Sequence, residues 1–257
     1  SIADDVTILG AQHGVDGVSH AGAETIVTGV VTLTGSAAVH IDGVEFHFTG
    51  PTPASGIYSQ LSITSTAGHV IENSRFITDV PTGSNAFDVR AVFIGPSAGG
   101  SITIDDNYFS GVYSGTGTFR DANAASWNRG VWSDGSGGGA TGPSLTITGN
   151  VFDHVRSSLN LDGLDNAHTD VSGNTFQNVG TGVSVGYNYA GAPAALTLTA
   201  VHDNTFNNAG DDINLQNITT PVSFDAGATH NVAAEAGSPV FVIDGGKGAD
   251  TLVGTNG

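Results

Sequence analysis

Three of the chain's six basic residues recur at one place in successive segments. Arg90, Arg129 and Arg156 stand two or three residues before the strand-like triplets Val92-Phe93-Ile94, Val131-Trp132-Ser133 and Leu159-Asn160-Leu161. A guanidinium is suited to bidentate contact with carboxylates. Stacked in consecutive repeats, the three would line one edge of a face; the alternative is local pairing with Asp88, Asp121 and Asp153. On the opposite edge, Ser133-Asp134-Gly135 and Leu161-Asp162-Gly163 place two acids at equivalent positions. Two carboxylates about 5 Å apart raise one pKa or recruit a cation. Calcium is the natural candidate, with Asp165 as a third ligand; the alternative is a pair of solvated turn acids. The inserted segments add Trp127, Tyr187, His154 and His168, which would allow general acid–base chemistry.

These residues have meaning only if repeats stack, and a repeated phrase indicates that they do. Ile104-Asp105-Asp106-Asn107-Tyr108-Phe109, Ile147 to Phe152, Val171 to Phe176 and Val201 to Phe206 are four copies of it. Weaker copies run from Ile71 to Phe76, with Ser74 in the Asn slot, and from Ile41 to Phe46, with Val44 there. Strand alternation places Ile147 inside, Thr148 outside and Phe152 inside. The Gly149-Asn150 bend is expected to use Asn in the left-handed conformation. The inward Phe residues 46, 76, 109, 152, 176 and 206 are spaced by 30, 33, 43, 24 and 30 residues. A constant phrase at a variable period of this size reads as stacked coils with loop insertions. Each coil carries a further strand: Ile57-Tyr58-Ser59, Val92-Phe93-Ile94, Val131-Trp132-Ser133, Leu159-Asn160-Leu161, Val183-Ser184-Val185 and Ile213-Asn214-Leu215. Residues 1–40 read as less regular opening coils, and the start of the chain in a strand suggests an upstream coil or cap.

Composition narrows the partners. The 257 residues include 38 Gly, 24 acids and six Lys plus Arg, for a net charge of −18. Phosphate binding needs basic residues, so nucleic acid is not expected as a partner. So acidic a surface suits a calcium-rich exterior. No apolar run of 18 residues is present, so no membrane insertion is expected. There is neither Cys nor Met, and the missing Met implies a fragment or a processed product.

The repeated phrase and its strands resemble the right-handed parallel β-helix of pectate lyases, alginate epimerases and related bacterial proteins. The expectation is an all-β, single-stranded right-handed parallel β-helix (β-solenoid) over residues 1–243. It would have roughly 8–9 coils, an Asn ladder and an internal Phe stack. At the C-terminus, Gly245-Gly246-Lys247-Gly248-Ala249-Asp250-Thr251-Leu252-Val253 resembles the calcium-binding RTX nonapeptide, with Asp250 as the metal ligand. Residues 244–257 would begin such a repeat, with further RTX repeats in the parent chain. That resemblance implies secretion, or a cell-surface location, in a Gram-negative bacterium.

In the family resembled, ligands lie along the sheet formed by these further strands. Its outward column would be Tyr58, Phe93, Trp132, Asn160, Ser184 and Asn214. Aromatic faces stack on sugar rings, so Tyr58, Phe93, Trp132 and Asn160, with Trp127 and Arg156, are candidate binders of an extracellular polysaccharide. The alternative is that the aromatics are covered by loops as a secondary core. Two functions stay open. One is a non-catalytic module that binds glycan or associates with itself. The other is a lyase or C5-epimerase acting on a uronate, with Arg129 or Arg90 neutralising the carboxylate and Tyr187 or His168 as the base. Against the second, the one Lys is Lys247 in the tail, and the tyrosine-histidine-aspartate motif of alginate epimerases is missing.

Overall fold

Alternation of apolar and polar residues, cut every few residues by Gly, Asn or Asp, favours short strands separated by tight bends. The structure, a computed structural model, describes residues 5–50, 56–79, 87–111, 127–134, 143–162, 169–185, 196–197, 201–207, 209–215, 222–224, 230–234, 241–243 and 252–254. Among them are three long parallel sheets and no helix. Sheet A holds Val6–Leu9, Val39–Asp42, His69–Glu72, Ser101–Asp105, Ser144–Thr148, Thr169–Ser172 and Val201–His202. Sheet B holds Thr25–Val27, Val44–Phe48, Arg75–Thr78, Tyr108–Ser110, Val151–Asp153, Thr175–Gln177 and Thr205–Asn207. Sheet C starts with Val31–Leu33, Gly56–Ile63, Phe87–Ile94, Trp127–Ser133, Val155–Leu161, Thr181–Val185 and Asp211–Leu215. It continues with His230–Ala234 and Leu252–Gly254.

The nth strands of the three sheets make coil n, and each strand pairs in parallel with its counterpart one coil on. The chain is a right-handed parallel β-helix, the hand expected for parallel crossovers. Among the described residues seven coils are complete, fewer than the roughly 8–9 expected, and sheet C alone runs two strands further. A small sheet of Leu196–Thr197, Val222–Phe224 and Phe241–Ile243 accompanies the later coils.

The core follows from the repeated phrase. Phe46, Phe76, Phe109, Phe152 and Phe176 are buried, and with Phe206 they stack at centroid separations of 4.5–5.2 Å with nearly parallel rings. That spacing is the inter-strand distance of a sheet, so one ring per coil fills the interior without a gap. Each buried Phe contributes about 1.5–3 kcal/mol by removal from water. The facing row of sheet C must be small. A Cβ on Gly130 would lie 2.9 Å from the Phe152 ring, and one on Gly182 would lie 2.5 Å from the Phe206 ring.

The Asn ladder runs down the corner between sheets A and B. Asn107, Asn150 and Asn174 each donate Nδ2 to the Oδ1 of the next Asn at 3.0 Å, and their backbone N–H groups reach the same oxygen. Their second amide hydrogens go to Ile71, Ile104 and Ile147 carbonyls. Ser74 continues the ladder with a hydroxyl, which accepts from the Val44 N–H at 3.2 Å. The expectation for the bend is corrected here. The left-handed residue is not the ladder Asn but the one before it: Gly43, Asn73, Asp106, Gly149, Gly173 and Asp203 all have positive φ. The ladder Asn points inward and spends its amide on neighbours, so its predecessor turns the chain.

Val6–Leu9, Thr25–Val27 and Val31–Leu33 form the opening coil, and its irregularity lies in residues 10–24. They leave coil 1 and run as a strap along the outside of the ladder corner. Gly10 N–H donates to Asp42 O at 2.7 Å, Gly14 N–H to Asp42 Oδ1 at 2.9 Å, and Gly17 N–H to Asp106 O at 2.8 Å. His20 Nε2 lies 2.8 Å from Asn73 O. Gly17 is required by this approach, because a Cβ there would sit 2.5 Å from Ser74 O.

One of the buried polar side chains predicts a pH effect. His69 is 2% exposed, and its Nδ1 accepts the Val39 N–H at 3.1 Å. The ring proton therefore sits on Nε2, which has no hydrogen-bond partner among the described residues. Burial lowers the His69 pKa below its usual range. The unfolded chain then binds a proton that the folded chain refuses. His69 costs nothing well above pH 6.5, and its penalty grows as pH falls through 6.5, by up to about 1.4 kcal/mol per unit, until the folded pKa is reached. Unfolding titrations at pH 7.5 and 5.5 should show a smaller pH-dependent loss for His69→Gln than for the wild type. Equal losses would rule His69 out as the source.

Candidate functional site

The outward face of sheet C is where the sequence places its site, and the strand register fixes which residues share a row. Ser62, Phe93, Trp132, Asn160, Ser184 and Asn214 are in line. Tyr58 is not among them. It pairs with Val89 and lies four residues before the row. Ile57-Tyr58-Ser59 and Leu61-Ser62-Ile63 carry the same apolar–outward alternation within one eight-residue strand. Packing chooses the second, because Leu61 and Ile63 are fully buried over Val31 and Leu33, whereas Ile57 is 66% exposed. Tyr58 instead packs on Phe48 at 4.5 Å and donates its hydroxyl to Gln60.

The arginine row is likewise shorter than expected. Arg90 and Arg129 are in register, but the next residue in line is Ser157, so Arg156 falls one position out. The spacing of three rather than two before Leu159 carries that slip.

Arg90, Arg129 and Trp132 form one assembly. The Arg90 guanidinium carbon is 3.6 Å from the centroid of the Trp132 ring and 4.6 Å from that of Phe93. The Arg129 carbon is 4.3 Å from the same indole. Phe93 meets Trp132 edge-on, at 6.1 Å and 79°. The indole Nε1–H donates to Asp162 Oδ2 at 2.7 Å. Trp132 is 6% exposed, Arg90 2% and Asp162 2%. Burying a guanidinium is costly unless the charge is met. Here the π faces of Trp132 and Phe93 lie against it, and a desolvated cation–π contact contributes about 2 kcal/mol. Asn160 and Ser184 continue the row, both buried, and among the described residues Asn160 Oδ1 and Ser184 Oγ have no hydrogen-bond partner.

Asp134 and Asp162 extend adjacent strands whose Ser133 and Leu161 pair, so they are neighbours as the spacing requires. They are not equivalent: Asp134 is half-buried, and Asp162 has an oxygen committed to the indole. Asp153 holds His154 Nδ1 at 2.7 Å and accepts from Asn178 at 3.0 Å. His168, Tyr187, Asp165, Asp250, Asp121 and the side chains of Trp127 and Asp88 lie outside the described residues.

A second constellation escaped the sequence reading. The slot after the apolar residue of the phrase is acidic in three successive coils, and Asp42, Glu72 and Asp105 stack in register on sheet A. His40, two residues before Asp42, puts Nε2 2.8 Å from Glu72 Oε1. Single donor atoms of His40, Asp42 and Glu72 all lie within 4.8 Å of one another. Beside them, burial pushes the Asp106 carboxyl above the usual range, and the charges of Asp105, Asp16 and Glu72 add to it. The signal was present in Ile41-Asp42, Ile71-Glu72 and Ile104-Asp105, but the phrase was read for its turn rather than for this slot.

Coils and site together define a parallel β-helix protein with a cation–π cluster buried on one sheet. No protein-family model, curated protein or solved structure matches the chain.

Proposed function

We propose that this chain is a non-catalytic β-helix module of a larger, secreted, RTX-type calcium-binding protein that acts in surface or matrix assembly or in polysaccharide binding. One observation carries this reading. Arg90 is 2% exposed and lies against Trp132 and Phe93, so the aromatic row holds coils together rather than offering an open platform. A lyase or epimerase needs a guanidinium that reaches a substrate carboxylate, and Arg90 is unsuited to that. The acidity of the chain and the RTX-like residues 245–253 support an exterior, calcium-rich setting in which further repeats complete the ion sites. The resemblance to pectate lyases and alginate epimerases then concerns the scaffold, which hosts many functions.

A uronate lyase or C5-epimerase is the second reading, and the half-buried Arg129 beside Trp132 favours it. The protein with calcium, incubated with alginate, pectin and other uronates, should give neither unsaturated-product absorbance nor a change of C5 configuration by NMR. Turnover that disappears in Arg129→Ala would overturn the module reading.

A further inference from the structure

We propose that His40, Asp42 and Glu72 form a binding site for a divalent transition-metal ion of the zinc class, which clips coil 2 to coil 3 and fixes the strap. The donor set is one imidazole nitrogen and two carboxylates, each offering an atom within 4.8 Å of the others. Imidazole selects zinc-like ions over calcium, which takes oxygen ligands. Zinc bonds of about 2.0–2.2 Å need donors somewhat closer together, a change that small side-chain rotations provide.

Asp42 gives an observation independent of the acidic clustering. It is 7% exposed, and both hydrogen bonds it accepts, from Gly14 N–H and Asn73 Nδ2, fall on Oδ1. Among the described residues nothing donates to its Oδ2. Oδ2 is thus left to water or to a cation, and it is the Asp42 oxygen that can serve as a ligand without breaking either bond. Charge points the same way. Asp42, Glu72 and Asp105 are stacked about one strand separation apart, and no Lys or Arg pairs with any of them among the described residues. Among the described residues the His40–Glu72 contact is the one ion pair the column has.

The site also has a structural reach. His40 and Asp42 lie on one coil and Glu72 on the next, while Asp42 Oδ1 holds the strap through Gly14. An ion on Oδ2 leaves that bond in place. Binding costs the His40–Glu72 hydrogen bond, because His40 Nε2 must give up its proton to act as a ligand.

This inference is independent of the proposed function. The test uses the full chain after chelator treatment and dialysis, titrated calorimetrically with zinc chloride and, separately, with calcium chloride. His40→Ala and Glu72→Gln are the variants. Both sites are half-exposed, and Glu72→Gln keeps an acceptor for His40, so far-UV circular dichroism should be unchanged. The wild type should take up one zinc more per chain than His40→Ala, and Glu72→Gln should bind that ion at least tenfold more weakly. Cobalt substitution should give visible ligand-field bands that His40→Ala lacks. Equal zinc stoichiometry and affinity in all three proteins would overturn the proposal, as would calcium displacing the ion at equal concentration.

Discussion

Asn150→Ala should lower stability by about 3–6 kcal/mol, measured by denaturant unfolding. Asn150 is fully buried in the middle of the ladder. Its Oδ1 accepts from Asn107 N–H and Asn107 Nδ2, both at 3.0 Å. Its Nδ2 donates to Ile104 O at 2.8 Å and to Asn174 Oδ1 at 3.0 Å. Alanine strands donors and acceptors that water cannot reach, and each costs about 1–3 kcal/mol. Asn204→Ala is the internal comparison. Asn204 is half-buried at the end of the ladder, so the same truncation there should cost under about 2 kcal/mol. Equal losses at both positions would show that burial within the ladder contributes nothing special.

Trp132→Ala should cost a similar amount, about 3–5 kcal/mol from the cavity alone. The indole is the common surface for Arg90, Arg129 and Phe93, and it is a hydrogen-bond donor to Asp162. Its removal leaves the buried Arg90 without its closest aromatic face. Trp132→Phe separates the parts: it keeps a ring for the guanidinium groups and loses the bond to Asp162 and the volume of the pyrrole ring, for a loss of about 1–3 kcal/mol, smaller than that of Trp132→Ala. Thermal unfolding followed by circular dichroism distinguishes these outcomes. A loss below about 1 kcal/mol in Trp132→Ala would mean that the assembly does not hold the coils together.

The parts of this fold that one residue per coil specifies were legible. Phe109, Phe152 and Phe176 fill one interior column because a single bulky ring fits each layer, and Asn107, Asn150 and Asn174 recur because a buried amide must meet its neighbour. Register was harder wherever the pattern repeats within a strand. Ile57-Tyr58-Ser59 mimics Leu61-Ser62-Ile63, and only burial of Leu61 tells them apart. Arg156 misses its row by one residue, a shift that alternation cannot reveal without the pairing of Arg129 with Ser157. The left-handed position was assigned to the recurring Asn, which tolerates it, although Gly149, which adopts it without steric cost, takes it rather than Asn150. The strap left almost no trace, since its anchors are backbone groups such as Gly17 N–H and Asp106 O, which every sequence possesses. Of the candidate site, the association of Arg90, Arg129, Trp132 and Asp162 was foreseen as a shared face. Their burial against one another depends on three-dimensional covering that local spacing does not encode.

The strap changes how this molecule comes apart. A solenoid behaves as a one-dimensional array in which each repeat senses only its neighbours, so coils fray singly from either end. Residues 10–24 violate that locality by tying coil 1 to Asp42, Asn73 and Asp106 in coils 2, 3 and 4. The first four coils therefore share one opening event, because none can peel away without also releasing the segment that crosses the others. Beyond Asp106 the array regains its nearest-neighbour character, and hydrogen-exchange protection should step down there rather than decline evenly along the stack.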